Sequence, residues 1–394
     1  MLKDPDEVRK DSSLAINGGV PRQRTPAEDE GICPEAADDV AAIVRTGRTT
    51  VWGGGPKAKE LESRFAALIG RGGAFFHNSG TAALLTGLFA LDVDAGSTVA
   101  ISDSGFVSSL NVVYYRAARP VFLPTDQRTL VCQSDVSEWV DEPPDVALLT
   151  HFLGNVVDVE AVMRSTGSAR LHEDASQALG AQLNGRSVGA FGDVATFAGS
   201  HRKLLGAGQG GLNVYDDPAM GRKMRILSHH GKADRQVGEV PGFNFRGGDM
   251  EATLALAALD RLEARAEARV ATAAAMSAIF GEAGLTTAVS APDLDCRPVW
   301  FDVALILPEE WIPHRDWLVA ALDAEGVPAW QYPALIEMPW LKPWMRSRRW
   351  WGEREEELLA RETALWSRVI VIATQMAPTD APRTAAITAD VLTR

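Results

Sequence analysis

Cysteine is the scarcest chemistry-bearing residue in this 394-residue chain: Cys33, Cys132 and Cys296 stand far apart. They have neither metal-ligand spacing nor the density of a disulfide scaffold, which points to a reducing compartment. Positive charge is also short, with 39 Lys and Arg against 52 Asp and Glu, a net charge of -13. A nucleic-acid surface needs clustered basic residues, so none is expected, although a local basic pocket for one small anion fits this balance. The acidity itself is read as solubility. No apolar run is long enough to span a bilayer. The opening MLKDPDEVRKDSSLAINGG is charged and lacks the apolar core of a secretory signal, so a cytoplasmic protein with no membrane partner is expected. Internal repeats and low-complexity tracts are absent too.

What is present is ordinary for a soluble enzyme: 46% hydrophobic and 23% charged residues, in a length that suggests two domains. The reading divides the chain into an N-terminal arm with little structure of its own (1–25), a large domain (26–248), a connector helix (249–284) and a smaller C-terminal domain (285–394). PEAADDVAAIVRTG reads as a helix closed by Gly47, and GGGP, Gly53 to Pro56, as a turn. KAKELESRFAALIG reads as an amphipathic helix with Leu61, Phe65 and Leu68 inward and Gly70 as its stop. Seven short apolar runs then alternate with helical segments: AFFHN, STVAIS, RPVFLP, DVALLT, ARLHED, DVATFA and GLNVYD. That alternation predicts an α/β fold, a mostly parallel seven-stranded sheet buried between helices.

Open α/β sheets bind ligands at the carboxyl ends of their strands, and three segments there can carry chemistry. His77-Asn78-Ser79-Gly80-Thr81 leads into a helix, so its free N–H groups and hydroxyls suit a phosphate; Ser and Thr are equally ordinary helix caps. Asp174, in LHEDASQALGA, follows an apolar strand, where a carboxylate is costly without a cation beside it. A protonated pyridine nitrogen would serve; capping of the following turn competes as an explanation. Lys203 follows the strand DVATFA and precedes GAGQGG, beside His201 and Arg202. Partial desolvation next to those groups would lower its pKa and make it a nucleophile, whereas most loop lysines are merely solvated.

Together SGTAAL, EDASQALGA and KLLGAGQGG, in this order, resemble the DegT/StrS family of PLP-dependent sugar and cyclitol aminotransferases, of fold-type I. The twenty-nine residues from Asp174 to Lys203 suit that family, and the resemblance covers nearly the whole chain. LAINGGVPRQRTP, HFLGNVVDVEAV, LSHHGK and GFNFRGGDMEATLALAALDRLE are similar to its other conserved stretches. The resemblance implies a large PLP-binding domain and a smaller α+β C-terminal one, with pyridoxal 5'-phosphate as cofactor. Lys203 would then bind the cofactor covalently and move the proton, and Asp174 would pair with the pyridine nitrogen. Gln177 would reach the phenolic oxygen, Gly80 and Thr81 would hold the phosphate, and Phe106 would stack on the ring. Asn244 would reach the phosphate in a neighbouring subunit, which implies a homodimer with shared sites; Arg246 is a candidate for the donor's carboxylate. The implied partners are a small-molecule amino donor, L-glutamate or L-glutamine, and a keto acceptor on a sugar or cyclitol ring in antibiotic or related secondary metabolism.

Departures from the family pattern bear on specificity. Ala198 stands where the family usually has a phosphate-binding serine, with Ser200 or His201 as substitutes, and Ile336 stands where it often has a His. Trp340, Trp344, Trp350 and Trp351 read as packing more readily than as a stacking site for a ring substrate. Rival readings are a dehydrating, aromatising synthase similar to 3-amino-5-hydroxybenzoate synthase and a non-catalytic regulator of the same fold. A Rossmann oxidoreductase would need a Gly-x-Gly-x-x-Gly turn after the first strand, which Ser79-Gly80-Thr81 does not supply.

Overall fold

The computed structural model describes residues 2–23, 25, 32–47, 49, 54–233 and 237–393. All seven apolar runs are strands: β1 (Gly73–His77), β2 (Thr98–Ser102), β3 (Arg119–Leu123), β4 (Val146–Thr150), β5 (Arg170–Asp174), β6 (Val194–Ala198) and β7 (Gly211–Tyr215). They form one sheet in the order β1-β7-β6-β5-β4-β2-β3. Only β7 runs against its neighbours, so the carboxyl ends of the other six share one edge. Every residue of β4 and β7 is buried, as expected where helices cover both faces.

Helix α1 (Pro56–Ile69) starts with proline in its first turn and stops at Gly70, whose φ of 78° a glycine adopts without strain. Ala58, Leu61, Phe65 and Ile69 face the core, and the Phe65 ring meets Phe197 of β6 edge-on at 5.0 Å. Leu68, expected inward, is 44% exposed, because the four-residue steps from Leu61 through Phe65 land on Ile69. The helix over Ala37–Thr46 ends at Gly47 as expected; of the glycine turn, Gly53 lies outside the described residues. Two further helices follow strand ends: α2 (Gly80–Ala90) after β1 and α3 (Val107–Tyr115) after β2.

The expected connector is not one helix. It divides at Arg261 into α4 (Asp249–Asp260) and α5 (Leu262–Glu282). The halves serve different neighbours: α4 packs on α1, while α5 packs on the C-terminal helix Ala381–Thr393. Beyond α5 a second, antiparallel sheet holds β8 (Thr286–Thr287), β9 (Asp302–Ile306), β10 (Ala329–Trp330) and β11 (Val369–Ala373), in the order β8-β9-β11-β10. It backs a second apolar core, which includes Met276, Phe280, Trp311, Leu322 and Ile370.

The N-terminal segment is more structured than the sequence suggested. Pro5–Val8 is a helical turn capped by Asp4, and Val8 and Leu14 are buried in the second core. Arg22 pairs with buried Glu325 at 3.1 Å and with Asp390 at 2.5 Å. Val8 and Leu14, with Leu2 and Ile16 packed partly against the same core, and one well-paired arginine tie down a segment whose composition is otherwise polar.

Candidate active site

The shared carboxyl edge opens onto a cavity of about 340 Å³, within the usual range of roughly 300–1,000 Å³ for small-molecule sites. Its walls include Ser79, Gly80 and Thr81 at the start of α2, Phe106 at the start of α3, Thr150 ending β4, and Asp174 ending β5. Gln177, Ala198, Ser200, His201 and Lys203 also line it, and Phe301 and Tyr332 close it from the C-terminal part. The fold thus gathers six of the seven singled-out cofactor residues around one space. Asn244 and Arg246 do not line it; both are held in short bridges, Asn244 to His229 and Arg246 to His77.

Asp174 is 2% exposed. One carboxylate oxygen accepts the Ser109 hydroxyl at 2.7 Å, and the other accepts the backbone N–H of Ser176 at 3.1 Å. Turn capping therefore exists, but one N–H and one hydroxyl from neutral groups leave the negative charge of the carboxylate without a cation in direct contact. Behind it, His172 is pushed down to about 4 by burial, so it is neutral, and its Nε2 lies 2.7 Å from Thr196 Oγ1. Glu173, on the opposite face of β5, accepts the N–H groups of Gly189, Phe191 and Gly192 at 2.6–2.8 Å. Burial pushes that carboxyl up, but these bonds and His151 outweigh it and hold it below its ordinary value. The strand end that carries Asp174 is therefore fastened on both sides.

Lys203 sits in the turn after β6, where its N–H donates to Ser200 O at 3.0 Å and its carbonyl accepts from Gly206 at 3.2 Å. Its amine lies 3.9 Å from the centroid of the Phe301 ring. Burial pushes its pKa down to about 7; Asp174 and Asp302 oppose that, and Arg269 and Arg202 add to it. The residue still keeps accessible surface and lines the cavity, so the amine is desolvated yet reachable. The glycines after it allow close approach: a Cβ at Gly210 would lie 2.8 Å from the Phe76 ring, and one at Gly211 would lie 2.6 Å from Ser79 O.

At the start of α2, Ser79 caps the helix by accepting from Ala82 N at 3.1 Å, which leaves the exposed Thr81 hydroxyl at the cavity wall. A Cβ at Gly80 would come within 2.9 Å of Ala198 Cβ, so glycine there keeps backbone and cavity in contact. Ala198 itself contributes no hydroxyl; Ser200 and His201 both border the same space. Gln177 Oε1 is committed to the N–H of Leu153 at 2.7 Å. Thr150 Oγ1 is buried at the wall with no hydrogen-bond partner, a polar atom that a bound molecule would satisfy.

Sequence reading missed Thr150, Ser109, Phe301, Asp302 and Tyr332. Asp302 alone gave a signal, a charge inside the apolar run VWFDVALIL. The Trp cluster is packing: Trp340 and Trp344 meet Tyr114 at 5.2 and 4.9 Å, Trp350 meets Trp344 at 5.5 Å, and none lines the cavity. Ile336 is buried, its N–H donating to Asp103 at 2.7 Å. Phe243 and Phe245, on either side of Asn244, stack on each other at 4.6 Å. A second cleft of about 250 Å³, by Thr98 and Arg119 at the starts of β2 and β3, is crossed by the Asp141–Arg354 pair and holds no comparable set of groups.

The family model of the DegT/DnrJ/EryC1/StrS aminotransferases matches residues 32–345. The chain belongs to that family. Its PLP dependence makes this protein a PLP-dependent aminotransferase of fold-type I. The chain is 31% identical to the dTDP-3-amino-3,4,6-trideoxy-alpha-D-glucose transaminase of Streptomyces venezuelae, over 80% of this chain and 82% of that one. It is 29% identical to the L-glutamine:2-deoxy-scyllo-inosose aminotransferase of Streptomyces kanamyceticus, over 88% and 87%. Among solved structures it is similar to S. venezuelae DesV, at a TM-score of 0.77 and 25% identity over 91% of this chain and 93% of that one. The cavity suits the cofactor of this family: a desolvated lysine, a carboxylate lacking a cation, a glycine-backed helix start and an unsatisfied hydroxyl surround one space. No helix among the described residues is long and apolar enough to cross a membrane, and no group of three or more metal-ligating side chains occurs among them.

Proposed function

We propose that this aminotransferase moves the amino group of L-glutamate or L-glutamine to a keto group on a sugar, cyclitol or related ring in secondary metabolism, and that it works as a homodimer. The observation that carries the reading is the joint placement of Lys203 and Asp174 at one cavity in a chain of this family. The relatives named for a trideoxyglucose and for an inosose support the ring acceptor, and the inosose enzyme's name supports glutamine as one donor.

When bound, PLP supplies the electron sink that amino transfer needs. Asp174 would pair with the ring nitrogen and keep it protonated, and the Ser109 hydroxyl fixes the carboxylate for that role. Lys203 would carry the cofactor covalently, and its amine, pushed down to about 7, would be suited to taking up and handing back the proton that amino transfer moves. Gly80 and Thr81 would receive the phosphate at the positive end of α2. Phe106, half exposed at the cavity mouth, would cover the ring, and Gln177 would offer its amide nitrogen to the phenolic oxygen, since its own oxygen is spent on Leu153. Asn244 would act on the neighbouring subunit's phosphate, in keeping with its lying outside its own chain's cavity.

An absorbance spectrum of the purified protein with and without each donor tests this reading. The visible band of the lysine-linked cofactor is expected to collapse with glutamate or glutamine and to return when a keto-sugar or keto-cyclitol is added. A band that responds to neither donor, or that never returns with any ring ketone, overturns it.

A further inference from the structure

Lys203 is held by more than the sheet it follows. Arg202, just before it, has φ of +65°, a left-handed conformation that a long L side chain keeps only where its surroundings hold it. Those surroundings come from the C-terminal part of the chain. The Arg202 guanidinium donates to Asp302 Oδ1 at 2.7 Å and to Gln375 Oε1 at 2.8 Å, and lies 4.0 Å from the centroid of the Trp330 ring. Its carbonyl accepts from Arg269 at 2.6 Å. Gln375 in turn donates to the carbonyl of Phe301, whose ring lies beneath the Lys203 amine.

Asp302 is wholly buried at the start of β9, and its second oxygen accepts the Tyr332 hydroxyl at 3.3 Å. A carboxylate in that position is expensive in stability unless its bonds are worth keeping. One explanation is a structural ion pair that joins two parts of the chain. The geometry says more, because both partners of the pair are linked to the lysine: Arg202 by peptide bond, and Asp302 through its chain neighbour Phe301, whose ring meets the amine.

We propose that Asp302 is a positioning residue for Lys203: through Arg202 and Gln375 it fixes the turn that presents the amine, and it supplies the second negative charge, besides Asp174, that acts on that amine. The inference rests on Lys203 being the cofactor lysine. The charged groups around the amine are Asp174 from β5, Asp302 from β9, Arg202 from the turn itself and Arg269 from α5, with the Tyr332 hydroxyl on the far side of Asp302. The carboxylates favour the ammonium; burial and the guanidinium groups favour the free amine. Burial pushes the Asp302 carboxyl itself up to about 7, against the pull of Arg202 and Lys203, so its charge is present above that pH; taking it away removes one of two favourable partners and leaves Arg202 less neutralised, and both changes push the amine further down.

The test is competitive acetylation of the cofactor-free, full-length chain across pH, with the Lys203 peptide followed by mass spectrometry. Asp302→Asn is expected to lower the midpoint of the Lys203 amine, whereas a purely structural pair would lower the melting temperature and leave the midpoint in place. An unchanged or raised midpoint in a folded Asp302→Asn chain overturns the proposal. If that variant does not fold, Arg202→Lys decides, since it keeps the charge but cannot hold Asp302 and Gln375 together. It is expected to reduce several-fold the fraction of Lys203 that borohydride traps with PLP; full trapping overturns the proposal. In either variant a trapped cofactor on a different lysine refutes the assignment of Lys203 itself, so the two failures are told apart.

Discussion

Asp174 and Lys203 occupy neighbouring positions at the cavity for different physical reasons, and the difference sets what each substitution should do. Asp174 is fixed by its strand and by Ser109, so Asp174→Asn is expected to keep the fold. A neutral amide cannot hold a pyridinium proton. The lost charge-assisted bond is worth ~1.5–3 kcal/mol in binding, about 10- to 150-fold in cofactor affinity, and the loss in kcat should exceed that because the electron sink itself is impaired. Cofactor titration by fluorescence and steady-state rates check this; near-native kcat would remove Asp174 from its role. That Asp174 and Lys203 lie at the cavity was legible in the sequence, because one is a charge ending an apolar strand and the other a charge in the turn that follows one. Thr150, Ser109 and Tyr332 were not, since a hydroxyl at a strand end or in a helix has no distinctive pattern until its neighbours are known.

At the scale of elements, the ends of the large-sheet strands are tied to the C-terminal part of the chain by two neighbouring buried acids. Asp103, just past β2, accepts the N–H of Ile336, and Glu362, on the helix Glu353–Trp366, accepts that of Thr125 at 2.9 Å. Burial, and then the nearby Glu362, push the Asp103 carboxyl well above the ordinary carboxylate range; burial pushes Glu362 up as well. The folded state therefore binds protons more tightly here than the unfolded chain. Its advantage is full below the unfolded carboxylate range and is lost as pH rises through the raised folded values. Asp103→Asn, which keeps a donor for Glu362 without a titratable proton, is expected to raise the melting temperature relative to wild type as pH increases and to flatten its pH dependence. Equal melting curves for the two proteins from acid to alkaline pH would rule out this linkage. Elements themselves were read well where the period was clear, as in all seven strands and α1. The break at Arg261 was invisible, because Ala, Leu, Glu and Arg favour helix on both sides of it and the bend comes from two packing partners far away in sequence.

For the whole molecule, the account expects each active site to need two chains. The six cavity-lining residues come from one chain, while Asn244 lies on an exposed segment outside that cavity. Mixing Lys203→Ala with Asn244→Asp, each inactive alone, should restore up to about a quarter of wild-type activity after random subunit exchange, because half the dimers are mixed and each has one intact site. No recovery despite exchange proven by native mass spectrometry would mean that both residues serve a site within one chain. Fold class and layer order followed from the alternation of strands and helices. The anchoring of residues 2–23 did not, since it depends on Val8, Leu14 and Arg22 finding partners more than 250 residues away.

The central claim is that Lys203 is the lysine that binds PLP. Borohydride reduction of the PLP-loaded protein, followed by proteolysis and mass spectrometry, reads it directly. The account predicts a single pyridoxyl label, on the peptide containing Lys203, and none in Lys203→Ala, which should remain folded because the residue lies in a turn beside the sheet. A label on any other of the eight lysines, or one that survives in Lys203→Ala, would contradict it.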